Sequence, residues 1–236
     1  MAVVFPCAGR SSRYPGERPK YLLTMYDGEL MIQKSCNGYV GNSHLRDEDV
    51  HFIILKQHDD EFDAARILEH TFDGNCIIHI LDDVTSGPAE TVYQVSKGLN
   101  NRPLFIADCD SFFDAPIRHG NYVCVGDLRD NLDLYNVAAK SFVQTTEQGM
   151  VTNIVEKNVI GNLFCAGGYS FASTDDYNRA YKELRDRDSE VFVSHVIKHL
   201  LSDLQFDTQK VSDFVDCGTY KEFAEYNYKR ILQQCS

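Results

Sequence analysis

The sequence predicts an α/β fold in which a mixed, mainly parallel sheet is flanked by helices, and three observations carry this prediction. Short apolar runs alternate with segments of helical spacing through the first half of the 236-residue chain. Hydrophobic residues make up 43% and charged residues 25%, as in ordinary globular proteins. No internal repeat, low-complexity tract or linker interrupts the pattern. We therefore expect one domain whose strands are joined by right-handed crossovers.

The elements follow from the residues in order. An opening strand begins at residue 3, because a run of Val and Phe that is too short for a helix is typical of a buried strand. Alternation then continues with a helix at about 30–39, a strand at 51–55, a helix at 59–70, a strand at 76–81, a helix at 89–99 and a strand at 103–107. The second half is predicted to contain strands at 122–125, 135–143, 150–156 and 164–171, helices at 174–187 and 190–201, a strand at 206–211 and a final helix to about 233.

Composition excludes two classes of partner. The formal net charge is −12 and the isoelectric point is near 5.0, whereas a nucleic-acid partner needs a basic face. No apolar stretch approaches the roughly 20 residues of a membrane span, and the N-terminus shows no leader pattern. We expect a soluble cytoplasmic protein that binds neither nucleic acid nor membrane.

A cationic loop follows the opening strand. Small residues at Ala8, Gly9, Ser11 and Ser12 let backbone amides approach an anion, and four cations lie within eleven positions: Arg10, Arg13, Arg18 and Lys20. This combination suits a polyphosphate. A solvated basic loop would explain the charges but not the strand that precedes them. The loop lacks the GKS or GKT of a P-loop and the three glycines of a dinucleotide fingerprint.

Three further segments carry candidate chemistry. Asp108 and Asp110 close an apolar strand, and alternation in an extended chain would place both carboxylates on one side, where they suit Mg²⁺ or Mn²⁺. An Asx turn or helix cap is the alternative. Asp216, before the last helix, is either a second ligand of that metal or part of a cap. Glu156 and Lys157 form either a surface ion pair or a contact to a substrate phosphate.

Together these segments resemble the sugar-phosphate nucleotidyltransferase family, which makes sugar nucleotides from a nucleoside triphosphate and a sugar 1-phosphate. The matching segments occur in family order: Cys7–Arg13 with Pro19-Lys20 for the opening signature, Gly87–Thr91 for the nucleobase segment, Phe105–Asp110 for the metal strand, Glu156-Lys157 with Cys165–Phe171 for the sugar phosphate, and Asp216–Thr219 for the second metal ligand.

The resemblance implies a compact, Rossmann-like (GT-A-like) nucleotidyltransferase domain over 1–236, with a nucleotide half at about 1–112 and an acceptor half at about 113–236. It implies that an acceptor phosphate oxygen attacks the α-phosphorus of the triphosphate and that pyrophosphate leaves, in sugar-nucleotide and polysaccharide biosynthesis. Asp110 and Asp216 would hold Mg²⁺, with Mn²⁺ as a substitute. Many relatives form homodimers.

The resemblance also assigns roles to residues. Lys20, Arg13 and Asp110 would be catalytic. Nucleotide contacts are expected at Ala8, Gly9, Arg10, Ser11, Ser12, Gly87, Pro88 and Ala89, and acceptor contacts at Glu156, Lys157 and Gly168.

Two departures leave the substrates open. Ser11 replaces the second glycine of the signature, and the nucleobase segment lacks the glutamine of several relatives. The acceptor is either a sugar 1-phosphate or a non-sugar phosphate such as phosphocholine. The nearest alternative is a glycosyltransferase in which Asp108-Cys-Asp110 is the metal-binding motif. A non-catalytic nucleotide sensor is another alternative.

Overall fold

Eleven strands and seven helices occur in the computed structural model, which describes residues 1–40, 49–186 and 190–235. The strands are β1 (Ala2–Pro6), β2 (Asp49–Leu55), β3 (Ile77–Leu81), β4 (Leu104–Ala107), β5 (Ser111–Asp114), β6 (Tyr122–Asp127), β7 (Phe142–Thr145), β8 (Val151–Val155), β9 (Leu163–Phe171), β10 (Asp207–Lys210) and β11 (Ser212–Asp216). The helices are α1 (Met31–Val40), α2 (Lys56–Phe62), α3 (Ala64–Thr71), α4 (Pro88–Ser96), α5 (Thr174–Leu184), α6 (Val193–Leu200) and α7 (Tyr220–Gln234).

A nine-stranded sheet forms the centre of the described fold. Its strand order is β10-β6-β9-β4-β1-β2-β3, and β7 with β8 extends it beside β9. On that path β9 runs antiparallel to both neighbours, and the other six strands point the same way. The predicted mixed, mainly parallel sheet is confirmed.

Strand β1 shows why the opening apolar run has no alternation of polar residues. Val3 and Phe5 face one core layer, and Ala2 and Val4 face the other, so both sides of the strand are covered. Helices α4, α5 and α6 cover the layer of Ala2, and α1 and α3 cover the layer of Val3. Of the described helices, none has both the length and the apolar composition that crossing a membrane requires.

The strand predicted at 135–143 is wrong over most of its length. A 3₁₀ turn occupies Val137–Ala139, and β7 starts only at Phe142. Tyr135 is 60% exposed, and the residues of the turn are not buried, so no sheet face is available for a strand there. The chain instead forms a turn at the surface, and Lys140 lies between the end of this turn and the start of β7.

The helix predicted at 59–70 is two helices. Asp63 lies between α2 and α3 with φ of 55°, a left-handed conformation that Asp tolerates better than most residues. Asp59 Oδ1 accepts a hydrogen bond from Ala65 N at 2.8 Å and so supports the start of α3. The end predicted for another helix, at residue 187, lies outside the described residues.

Two short strands were not predicted. β5 and β11 pair antiparallel in a separate two-stranded sheet, with Asp216 opposite Ser111. Their partners are about a hundred residues apart in sequence, so neither strand has a local signal. This small sheet joins the segment after β4 to the segment before α7.

Candidate active site

A cavity of about 780 Å³ opens at the edge of the sheet where β1 and β4 end. These strands are parallel neighbours, with Val4 opposite Ile106, so the loops that follow them meet at this edge. Most of the site residues predicted from sequence line this cavity: Ala8, Gly9, Arg10, Ser12, Arg13, Lys20, Gly87, Pro88, Asp110, Glu156, Lys157 and Asp216.

Three predicted site residues do not line it. Ala89 is fully buried in α4, and Gly168 lies in β9 with its α-carbon packed close to Phe105 and Cys124. Ser11 lines an adjoining cavity, and its hydroxyl accepts a hydrogen bond from Lys20 N at 3.2 Å. Its φ of 49° is in the left-handed region, where the family signature has glycine. The loop therefore keeps its turn with serine and gains a contact to Lys20.

Lys20 and Asp110 form an ion pair within the cavity wall. The Lys20 side chain is 19% exposed and that of Asp110 is 12% exposed. Burial acts to raise the pKa of Asp110, but the Lys20 ammonium outweighs it and lowers this pKa to about 2. Burial acts to lower the pKa of Lys20, and the Asp110 carboxylate outweighs it and raises that pKa. Both groups are charged at neutral pH.

Asp110 and Asp216 border one open space. The backbone N–H of Cys217 donates to Asp110 O at 2.8 Å, which continues the β5–β11 pairing. A Cβ added to Gly218 would lie 3.1 Å from Asp216 Oδ1, 3.4 Å from Arg13 Nη1 and 3.7 Å from Asp110 Oδ2. Glycine therefore leaves a cradle between two carboxylates and a guanidinium.

Asp110 and Asp216 offer oxygen donors of the kind that a hard divalent cation takes, although Lys20 and Lys140 pair with them in this structure. No group of three or more His, Cys, Asp or Glu side chains placed to hold a metal occurs within the described residues. Mg²⁺ needs no such group, since it is commonly bound by one or two carboxylates and completes its shell with waters and phosphate oxygens. The oxygen ligands of Asp110 and Asp216 suit that coordination.

Asp108 is separated from Asp110 by a turn. The chain leaves β4 at Ala107 and turns at 109–110, so the extended segment expected from alternation is wrong. Asp108 packs close to Gly167, whose φ of 97° lets β9 pass near that carboxylate. Burial and then the charge of Asp110 raise the pKa of Asp108 to about 7. Asp108 also lines the cavity.

Lys140 is a cavity residue that sequence reasoning missed. Its ammonium lies 2.7 Å from Asp216 Oδ2, and it lines the cavity. It follows the 3₁₀ turn in the segment that was predicted to be a strand, and no motif marks it. A lone lysine beside a turn gives no local signal of this role.

Hydroxyl groups orient Glu156 in the wall of the cavity. Ser194 Oγ, from α6, donates to Glu156 Oε2 at 2.6 Å, and Ser141 Oγ donates to the same oxygen. The Lys157 ammonium lies 4.0 Å from the ring centroid of Phe192, a cation–π contact. Lys157 also has φ of 53°, an uncommon conformation for lysine. Glu156 is thus held by serines that no sequence motif identified.

Residues 87–91, the segment expected to contact the nucleobase, contain the start of α4. Gly87 is needed for packing, because a Cβ there would lie 2.8 Å from Val191 O and 2.8 Å from Glu190 Cγ. Ala89 N donates to Val191 O at 3.2 Å, which joins the start of α4 to the segment before α6. Pro88 occupies the first turn of α4, where its missing N–H costs little.

Thr219 and Asp216 divide the roles expected for the Asp216–Thr219 segment. Thr219 is the N-cap of α7 and forms a capping box with Glu222. Asp216 ends β11 and faces the cavity. The helix cap is therefore confirmed at Thr219, and the metal-ligand role of Asp216 stays a prediction.

Solved structures share this fold over nearly the whole chain. A nucleoside-diphosphate-sugar pyrophosphorylase from Vibrio cholerae RC9 is 22% identical, with 96% of this chain and 99% of that chain covered and a TM-score of 0.79. The inositol-1-phosphate CTP transferase from T. maritima is 15% identical over 97% and 93%, with a TM-score of 0.77. The CTP:phosphocholine cytidylyltransferase from Streptococcus pneumoniae is 11% identical over 97% and 98%, with a TM-score of 0.72.

No family model matches the chain, and no curated protein does. The chain has the fold of the nucleotide-sugar pyrophosphorylases and sugar-phosphate nucleotidyltransferases, so the fold expected from the resemblance is confirmed.

Proposed function

We propose that this chain is a nucleotidyltransferase that joins a nucleoside triphosphate to a phosphorylated small molecule and releases pyrophosphate. One observation carries the proposal: the same cavity is lined by the cationic Gly9 loop, by Asp110 and Asp216, and by Glu156-Lys157. Structural neighbours named as a pyrophosphorylase, a CTP transferase and a cytidylyltransferase support the same reaction class.

The proposed chemistry is an in-line displacement. An acceptor phosphate oxygen forms a bond to the α-phosphorus, and the bond from that phosphorus to the bridging oxygen of pyrophosphate breaks. Such a reaction depends on positioning and charge stabilisation more than on covalent catalysis. Lys20 is expected to stabilise charge at the α-phosphate, and Arg13 with the amides of the Gly9 loop to hold the leaving pyrophosphate.

Asp110 and Asp216 are the proposed ligands of Mg²⁺. When bound, the cation would reduce the repulsion between the anionic acceptor and the triphosphate. In its absence each carboxylate keeps a lysine partner, Lys20 for Asp110 and Lys140 for Asp216. Each of the two carboxylates thus has a neutralising lysine beside it.

A sugar 1-phosphate is the proposed acceptor. Glu156, held by Ser141 and Ser194, offers a fixed carboxylate that could accept a hydrogen bond from a sugar hydroxyl, and Lys157 offers a cation for the phosphate. A non-sugar phosphate such as phosphocholine, used with CTP, is the alternative that the cytidylyltransferase neighbour supports. Use of a nucleoside triphosphate fits a cytoplasmic enzyme.

A pyrophosphate-release screen tests the proposal. The common nucleoside triphosphates are combined with Mg²⁺ and a panel of sugar 1-phosphates, inositol phosphates and phosphocholine. We expect release that requires both a triphosphate and an acceptor, and Asp110→Asn should lower it by about 10³-fold or more. Asp114→Asn is the control, since Asp114 is an exposed aspartate at the end of β5.

Other outcomes identify the rivals. Hydrolysis of a nucleotide sugar, with no pyrophosphate released from any pair, would indicate a glycosyltransferase. Nucleotide binding without either reaction would indicate a sensor.

A further inference from the structure

Lys140 forms a nearly buried ion pair with Asp216 in the wall of the cavity. Its Nζ lies 2.7 Å from Asp216 Oδ2, and the two side chains are 15% and 8% exposed. The ammonium also lies 5.5 Å from the ring centroid of Phe214. A charge so removed from water needs a close partner of opposite sign, because its desolvation is otherwise uncompensated.

The pair differs in kind from the ion pairs of the surface. Lys56 and Asp60, for example, are 54% and 60% exposed, where water screens the attraction and the pair contributes little. Lys140 and Asp216 have little water to replace a lost partner. Anything that takes the Asp216 carboxylate must therefore supply the ammonium with another anion.

Asp216 has two competing partners in the proposed function. The cradle at Gly218 faces Asp216 Oδ1, and Lys140 binds Oδ2. A divalent cation on this carboxylate brings two positive charges next to an ammonium, which destabilises the pair. Lysine has a long flexible stem and three donors, so it can change partner without movement of the backbone.

The acceptor side offers the new partner. Lys140 precedes Ser141, whose hydroxyl holds Glu156, and it lines the same cavity as Lys157. We propose that Lys140 is the resident counter-ion of Asp216 in the ligand-free protein and passes to the acceptor's phosphate when a divalent cation takes Asp216. This rests on the proposed function and adds a second cation, besides Lys157, for the acceptor phosphate.

Mn²⁺ binding without nucleotide, measured by electron paramagnetic resonance, tests whether Lys140 competes with a divalent cation for Asp216. Lys140→Met removes the competing charge and keeps most of the stem, so Mn²⁺ should bind at least about tenfold more tightly than to the wild type. Lys34→Met is the matched control: Lys34 is 20% exposed and paired with Asp27 and Glu29, outside the cavity. It should bind Mn²⁺ as the wild type does.

Binding of inorganic phosphate tests whether Lys140 passes to the acceptor's phosphate. With Mn²⁺ bound, Lys140→Met should bind phosphate at least about tenfold more weakly than the wild type, and Lys140→Arg should retain most of the affinity. If Lys140 were purely structural, its replacement would not be expected to strengthen Mn²⁺ binding and weaken phosphate binding. Equal Mn²⁺ affinity in Lys140→Met and Lys34→Met would overturn the proposal, and so would unchanged phosphate affinity.

A measurement on the wild type protects the test against misfolding of the variant. Side-chain ¹⁵N NMR, with the Lys140 signal assigned through Lys140→Arg, should show that signal moving on addition of Mg²⁺ while the Lys34 signal stays. A Lys140 signal that does not move contradicts the proposal. Failure of the proposed function looks different: no pair of triphosphate and acceptor would then release pyrophosphate, whatever the Mn²⁺ affinities of the variants.

Discussion

Lys20 sits where negative charge would grow during the proposed reaction. Burial acts to lower the pKa of Lys20, but the Asp110 carboxylate outweighs it and raises this pKa, so the ammonium is charged at neutral pH. We predict that Lys20→Met lowers kcat by about 10²-fold to 10³-fold with a smaller change in KM, as expected for a group that acts in the transition state. Steady-state kinetics measure both constants.

The control for that variant is Lys56→Met, which removes an exposed lysine from α2 and should leave both constants unchanged. A rise in KM at constant kcat would show that Lys20 binds the ground state only.

Gly218 keeps the carboxylate cradle open. We predict that Gly218→Ala weakens Mn²⁺ binding at least about tenfold, because the added methyl would crowd Asp216 Oδ1 at 3.1 Å and Arg13 Nη1 at 3.4 Å. Calorimetric titration with Mn²⁺ measures the affinity. Gly98→Ala is the control, since its nearest contact, Val95 O at 3.5 Å, is an ordinary one. Wild-type Mn²⁺ affinity in folded Gly218→Ala would place the metal elsewhere.

The sequence predicts the roles of single residues when those residues lie in motifs. Lys20, Asp110 and Asp216 could be named because each follows a strand or precedes a helix within a recognisable pattern. Lys140 could not, since its role depends on an ion pair with a residue 76 positions away. The roles of Ser141 and Ser194 could not be predicted for the same reason. Each serine donates a hydrogen bond to Glu156, and only the folded structure shows that contact.

A histidine pair joins strands β2 and β3. His51 Nδ1 lies 2.9 Å from His79 Nε2, and His51 is 2% exposed. Burial, and then the charge of His79, lower the pKa of His51 from 6.5 to about 4. Between these values the unfolded chain binds more protons than the folded chain, so stability rises with pH across this window and is lost as pH falls from 6.5 to 4.

We predict that His51→Gln loses less stability on acidification than the wild type. The difference in the unfolding free energy between pH 7 and pH 4 should shrink by on the order of 3 kcal/mol. Urea unfolding at pH 7, 5.5 and 4 measures this. His70→Gln, at an exposed histidine of α3, is the control. A pH dependence identical in both variants would contradict the assignment to His51.

Elements with strong local patterns were predicted well, and elements shaped by tertiary contacts were not. Strand β1 follows from its apolar run because both of its faces are buried. The segment at 135–143 contains apolar residues, yet its first half forms a turn, since no neighbouring strand pairs with it there among the described residues. The break at Asp63 depends on one left-handed residue, which helical periodicity does not reveal.

On the scale of the whole molecule, long-range pairing assembles the site. The main sheet brings the Gly9 loop next to Asp110, which strand alternation along the sequence predicts. Pairing of β5 with β11 brings Asp216 next to Asp110, and this could not be read from local sequence because the two strands are short and far apart. The residues themselves offered a shared metal only as one of two alternatives for Asp216, and the resemblance to the nucleotidyltransferase family favoured it.

In the proposed reaction the nucleotidyl group, and no other part of the triphosphate, moves to a phosphorylated acceptor. The most direct measurement follows the label from [α-³²P]- and [γ-³²P]-nucleoside triphosphate after incubation with Mg²⁺ and the acceptor that supports pyrophosphate release. We predict that the α label enters a new nucleotide-linked product while the γ label appears only in pyrophosphate. Appearance of the γ label in the acceptor or in orthophosphate, with no α-labelled product, would contradict the claim.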